Sequence, residues 1–151
     1  MATTLCVVDV QPKFSSSKKI VNSVVDQIHK AKRRGDGIII LEYEGYGKSD
    51  KKVYKALGDY KKHVVMKKCT DDGSYETLDA MTADPDNFSF NRIRICGVNA
   101  CYCVYQTALG LKSSGYFDRV EVASSATSCS HNLAESECVS SLIKAVKKCP
   151  R

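Results

Sequence analysis

Histidine is scarce in this 151-residue sequence, with three copies, and no Cys/His pairs stand at zinc-like spacing. No stretch approaches the roughly 18 apolar residues of a membrane-crossing helix, so no membrane association is expected. The first residues lack the basic region and apolar run of a secretory signal, and the expected location is cytoplasmic. Internal repeats, linkers and low-complexity segments are absent. That leaves one domain over residues 1–151, long enough to bury a substantial core. No recognised nucleic-acid motif is present, which argues against a nucleic-acid partner.

What is present has ordinary globular proportions, 43% hydrophobic and 26% charged. Eight cysteines could suggest a disulfide framework. The missing signal, the size of the chain and a spacing that follows secondary structure instead predict reduced thiols. Cys6 and Cys96 fall inside apolar, strand-like runs, where free cysteine behaves as a small hydrophobe. The formal charge is +6, and residues 1–75 carry 15 Lys/Arg against 9 Asp/Glu, whereas residues 76–151 carry 8 of each. The surplus is concentrated between Lys48 and Lys68. It could meet phosphates or an anionic substrate, but reads first as a solvated lysine-rich face.

Apolar runs alternate with helical patterns along the whole length. Strands are predicted at Thr4 to Val8, Gly37 to Glu42, His63 to Lys67, Phe90 to Gly97 and Arg119 to Ala123. Helices are predicted at Ser17 to Arg34, Asp50 to Leu57, Ser74 to Met81, Cys101 to Ser114 and Asn132 to Lys147. Strands with few polar interruptions, separated by helices, indicate a parallel sheet covered on both faces. The predicted fold is α/β, a three-layer doubly wound sheet of five to six mainly parallel strands. Such sheets bind ligands beyond the carboxyl ends of their strands.

Chemistry collects at that edge. Asp9 ends the first strand, Lys67 ends the third, and two thiols, Cys101 and Cys103, lie at the mouth of the helix after the fourth. An aspartate can take a thiol proton, and a lysine can hold developing negative charge. A helix N-terminus offers N–H groups to an oxyanion and favours a thiolate. Asp9, Lys67 and Cys103 together make a nucleophilic acyl-transfer site, and Cys103 is expected to react below the ordinary thiol range.

The segment Leu5-Cys6-Val7-Val8-Asp9-Val10-Gln11-Pro12-Lys13-Phe14 resembles the opening strand of the isochorismatase-like cysteine hydrolases. Val64-Val65-Met66-Lys67 is similar to that family's lysine strand. Gly97-Val98-Asn99-Ala100-Cys101-Tyr102-Cys103-Val104, with Thr107-Ala108, resembles its nucleophile segment. The matches occur in family order, and the strand–helix alternation extends the resemblance over nearly the whole chain. It implies an Asp9–Lys67–Cys103 triad, a thioester intermediate on Cys103 and hydrolysis of an amide or related carbon–nitrogen bond. It also implies a cis peptide at Val98–Asn99, an oxyanion hole from the backbone N–H groups of Asn99 and Cys103, and a homo-oligomer.

Departures from the family pattern are specific. Ala100 replaces the usual Thr, and Cys69 to Tyr75 replaces a small-aromatic segment, so that Lys68 is an alternative to Lys67, although the apolar phasing favours Lys67. Ser124 and Ser125 stand where the family has an acidic residue after the fifth strand. The Asp/His metal cluster of the nicotinamidases is missing, since the histidines are His29, His63 and His131. No cofactor and no metal are expected, and nicotinamidase activity is disfavoured. Isochorismatases proper lack the cysteine, which argues against that reaction. The short chain implies reduced substrate-covering insertions. Gln11, Phe14, Glu42, Glu44, Tyr75, Tyr105 and His131 are candidates to line a pocket for a small-molecule substrate, each with an equally good structural role. Two rivals remain. One is a thiol redox or metal site built from Cys96, Cys101 and Cys103; the other is a non-catalytic binding module using the basic patch from Lys48 to Lys68.

Overall fold

The computed structural model describes residues 2–14, 16–129 and 135–150, without the side chains of residues 135 and 136. The alternation resolves into β1 (Thr4–Val8), a 3-10 turn (Pro12–Phe14), α1 (Lys18–Arg34), β2 (Gly37–Tyr43), α2 (Lys51–Leu57), β3 (His63–Lys68), α3 (Ser74–Ala83), β4 (Arg92–Val98), α4 (Cys103–Ser113), β5 (Arg119–Ser128) and α5 (Glu135–Lys148). The five strands are parallel and lie in the order β3-β2-β1-β4-β5. Chain direction across the sheet reverses at β1, so the β1/β4 boundary is the switch point where such sheets open a crevice. Among the described residues no helix is long and apolar enough to cross a membrane.

Local chemistry sets the boundaries. Ser17 accepts a hydrogen bond from the Ile20 N–H at 3.2 Å and caps α1, and Gly35 ends it in the left-handed region at φ 74°. Ile20, Val21, Val24, Ile28 and Ala31 form the buried stripe of that helix. Because side chains alternate across a strand, Leu5, Val7, Ile38, Ile40 and Val65 face the core beneath α1 and α2. Cys6, Val8, Ile39, Leu41, Val64 and Met66 face the core beneath α3, α4 and α5. Gly97, at φ 119°, sits where β4 presses on β1. A Cβ there would stand 2.0 Å from the Val8 carbonyl oxygen, so only glycine fits.

The predicted elements are all present, with shifted ends. β5 runs past the expected stop at Ala123. Ser124 and Ser125 are exposed where the pairing is irregular, and the strand rejoins the sheet with Gly97 opposite Thr127 and Val98 opposite Ser128. α4 starts at Cys103, two residues later than expected. The expected start of the closing helix at Asn132 lies outside the described residues.

Candidate active site

Asp9 follows β1 directly and turns the chain at φ 51°, a left-handed conformation that aspartate tolerates better than most residues. Its N–H donates to the Leu41 carbonyl at 3.0 Å, so the turn stays tied to β2. The side chain is 1% exposed and its Oδ2 lies 3.0 Å from the Nζ of Lys68, whose side chain is fully buried. The Lys68 ammonium also donates to the Thr70 carbonyl at 2.9 Å and sits 4.1 Å above the Tyr43 ring. An unscreened lysine is held here by a carboxylate, a carbonyl and an aromatic face.

Lys67 does not make this contact, which corrects the expected assignment. Strand parity is the cause: Lys68 shares a face with Val64 and Met66, toward α3 and α4, while Lys67 shares the opposite face with Val65 and is exposed. The basic stretch from Lys48 to Lys68 is divided in the same way. Lys48, Lys51, Lys52, Lys55, Lys61 and Lys67 are exposed, whereas Lys68 belongs to the interior.

Cys103 is the first residue of α4 and is 6% exposed. Its thiol interacts with both Asp9 and Lys68 and points toward Oδ1 of Asp71 at 3.7 Å. Burial pushes the thiol up to about 12, the Asp9 carboxylate adds to that rise, and Lys68 opposes it. That shift favours the protonated thiol of Cys103 beside the Asp9 carboxyl group, rather than the helix-stabilised thiolate that the sequence suggests. Burial also holds the Asp9 carboxyl above the usual carboxylate range, against the pull of Lys68 and of the Cys103 thiol. A base with a raised pKa next to a neutral thiol is suited to receiving its proton.

The turn before α4 carries a cis peptide at Val98–Asn99. The Asn99 carbonyl accepts from the N–H groups of Tyr102 and Val104, both at 3.1 Å, which folds the turn back onto the helix start. The Ala100 N–H donates to the Ser128 carbonyl at 2.9 Å and anchors the turn to β5. Thr107 accepts from the Gly73 N–H at 2.9 Å, locking the loop that carries Asp71 against α4.

The other pocket candidates divide. Gln11 is a buried clamp: its amide nitrogen donates to the carbonyls of Tyr43 and Gly47 at 3.0 and 2.7 Å, and its oxygen accepts from the Tyr43 N–H at 2.7 Å. It shapes the site through Tyr43 rather than lining it. Phe14 stacks on Tyr46 at 4.8 Å and lies 6.3 Å from Tyr43, an aromatic group beside the lysine cradle. Glu42 faces the α1/α2 side, where it accepts from the Ser49 N–H at 2.6 Å and the Tyr54 hydroxyl at 2.5 Å. Its expected place in the pocket is corrected accordingly. Glu44 is exposed, and Tyr75 is 73% exposed on the first turn of α3. Tyr105 packs half-buried against the core, and His131 lies outside the described residues. Tyr43 and Asp71 are the residues the sequence reading missed. Asp71 was legible only as part of a turn, and Tyr43 only as the residue after a strand.

The expected rival cluster also comes apart. Cys96 is buried in the core beneath α1 and α2, and Cys103 faces Asp9. Cys101 meets Cys129, with the sulfurs 3.3 Å apart. None of the eight cysteines is in a disulfide. His63 opens β3, at the end of the strand opposite Lys68, and His29 lies in α1, so the described residues assemble no Asp/His metal centre. Two concavities of about 590 and 690 Å³ run along β5 and α5, lined by residues such as Ser124, Ile143 and Lys147 and by none of Asp9, Lys68 and Cys103.

A family model described as "Isochorismatase domain" matches residues 3–146. No curated protein matches the chain. Among solved structures, a nicotinamidase from Staphylococcus aureus is 23% identical with a TM-score of 0.75, over 98% of this chain and 96% of that one. A ribonuclease from Caenorhabditis elegans is 20% identical with a TM-score of 0.78, over 98% and 73% of the two chains. An N-carbamoylsarcosine amidase from Thermoplasma acidophilum is 16% identical with a TM-score of 0.72, over 95% and 94%. The similar structures share the fold, and the family match spans the strand ends that bring Asp9, Lys68 and Cys103 together: the chain belongs to the isochorismatase-like superfamily of hydrolases.

Proposed function

We propose that the protein is a cysteine hydrolase that cleaves a small amide or related carbon–nitrogen bond through a thioester on Cys103. The observation that carries this reading is the convergence of Asp9, Lys68 and Cys103 from three separate segments at one buried point. Burying a charge is costly unless it is paired, and the 3.0 Å ion pair next to a thiol repays that cost only partly, as the raised Asp9 carboxyl shows.

In the proposed cycle, Asp9 takes the Cys103 proton as Sγ bonds to the carbonyl carbon, and the carbonyl electron pair moves onto oxygen. The backbone N–H groups of Asn99 and Cys103 are the proposed oxyanion donors, the latter at a helix start where the first N–H groups lack intrahelical partners. When the carbonyl re-forms, the carbon–nitrogen bond breaks and the amine leaves with the proton from Asp9. A water then gives Asp9 a proton as its oxygen adds to the thioester. Collapse breaks the carbon–sulfur bond, the sulfur recovers that proton, and the acid departs. Lys68 orients Asp9 and offsets negative charge throughout. These three side chains complete the cycle without a metal-bound water.

The carboxylate of Asp71, an exposed residue 3.7 Å from the sulfur, places negative charge beside the thiol. It favours amides that carry N–H donors or a positive group over those that carry a carboxylate. A panel of small neutral, cationic and anionic amides, followed by ammonia release, tests both points. Turnover should be confined to protein with Cys103 intact, and Asp71→Asn should shift preference toward anionic members. No turnover of any member, or turnover surviving Cys103→Ser, would contradict the reading.

A further inference from the structure

Three thiols that the triad does not use converge at the same end of the sheet. Cys101 lies in the turn between β4 and α4, Cys129 directly follows β5, and Cys138 lies in α5. Their sulfur atoms all fall within 4.8 Å of one another. Cys129 and Cys138 are 6% and 2% exposed, and Cys101 is half-buried. Ala100, Val139 and Leu142 belong to the same apolar core cluster. Packing alone does not call for three sulfurs at one point, since alanine or valine would fill such a site. Sulfur-only donors in a buried, apolar setting select soft, thiophilic ions.

We propose that Cys101, Cys129 and Cys138 bind one thiophilic d¹⁰ ion of the zinc(II) class. Metal–sulfur bonds of about 2.3 Å in a tetrahedron set sulfur–sulfur separations near 3.8 Å. The sulfurs stand close to that spacing without the metal, with the Cys101–Cys129 pair at 3.3 Å and no pair farther apart than 4.8 Å. On binding, three S–H bonds break, three protons go to solvent and three metal–sulfur bonds form. Water or a small ligand takes the fourth position. The ion ties the turn that precedes the nucleophile to the end of β5 and to α5, so its role is to hold Cys103 in place rather than to react. The ligands come from three elements, separated by 28 and 9 residues, which is why no zinc-like spacing appears in the sequence. The site is independent of the hydrolase reading, and each stands if the other fails.

The test titrates reduced, metal-free full-length protein with cobalt(II) and then zinc(II). Thiolate-to-cobalt charge transfer in the near ultraviolet, with the intense visible bands of tetrahedral cobalt, should saturate at one ion per chain and disappear when zinc displaces it. Cys101→Ser, Cys129→Ser and Cys138→Ser should each abolish the stoichiometric signal, whereas Cys103→Ser and Cys69→Ser should leave it unchanged. Circular dichroism identifies any variant that fails to fold; Cys101→Ser, in the half-buried turn, decides the question if the two buried positions do not tolerate serine. No charge-transfer band at equimolar cobalt, a band that survives Cys101→Ser, a band lost in Cys103→Ser, or formation of a Cys101–Cys129 disulfide without metal uptake would overturn the proposal.

Discussion

Replacing Lys68 by methionine keeps most of the side-chain volume and removes only the charge, which isolates the ion pair with Asp9. Both partners are at most 1% exposed, so solvent screens neither. Breaking a buried pair from one side costs about 3–5 kcal/mol because the remaining charge is left uncompensated. With a urea slope of roughly 1.5 kcal/mol/M, the unfolding midpoint should fall by about 2–3 M. Lys67→Met, one residue earlier on the exposed face, should stay within about 0.5 kcal/mol of the parent. The pH dependence has a definite sign. Lys68 lowers the Asp9 pKa, so without it the folded-state value climbs further above the ordinary 3.8. A raised folded-state pKa gives stability that is present below the unfolded value and lost as pH rises through the folded one. The deficit of Lys68→Met should therefore be smaller in acid and grow toward neutral pH, and adding Asp9→Asn should recover much of it. Equal effects of Lys67→Met and Lys68→Met, or a deficit that does not vary with pH, would refute the reasoning.

Asp9→Asn removes the proposed base, so activity should fall by about 10²–10⁴. It also leaves the buried Lys68 ammonium without its carboxylate, so stability should fall by about 3–5 kcal/mol, and activity is read under conditions where the variant is folded. In the parent protein kcat/KM should decline on the acid side with a midpoint above that of an ordinary aspartate, because burial raises the Asp9 carboxyl and the base must be ionised to act. A midpoint at the ordinary value would argue against Asp9 as the base. Gly97→Ala forces a methyl against the Val8 carbonyl and should cost more than the roughly 1–3 kcal/mol usual for overpacking, read as a lowered thermal midpoint. Gln11→Ala removes three hydrogen bonds that hold Tyr43 and Gly47, and should raise KM more than it lowers kcat if Tyr43 forms a wall of the substrate site.

The parallel sheet, and the places of Asp9 and of the thiols at its carboxyl edge, were legible because they sit at sharp transitions. Asp9 follows an unbroken apolar strand and the thiols follow a Gly-Val turn. The choice of Cys103 over Cys101 came from the family resemblance, because the helix was expected to open at Cys101. Which lysine faces Asp9 was not legible from apolar phasing. A strand that packs apolar side chains on both faces, such as the half-buried Val64-Val65-Met66, carries no alternation from which to read parity. Glu42 misled for the same reason: one step along β2 separates the Tyr54 side from the Tyr43 side. The run of β5 past Ala123 was hidden because exposed Ser124 and Ser125 interrupt the strand locally, and rejoining depends on pairing with Gly97 and Val98. Asp71 approaches the thiol only through the tertiary lock between Thr107 and Gly73, which no local pattern encodes.

The central claim is that Cys103 carries the acyl group. Rapid acid quenching during turnover of a reactive small amide or its ester analogue, followed by peptide mass analysis, reads this directly. The peptide bearing Cys103 should gain the mass of the acyl group in the parent protein, transiently with the amide and to higher occupancy with the ester, whose better leaving group speeds acylation. An acyl group on Cys101 or any other residue, or turnover with no covalent adduct under either condition, would contradict the account.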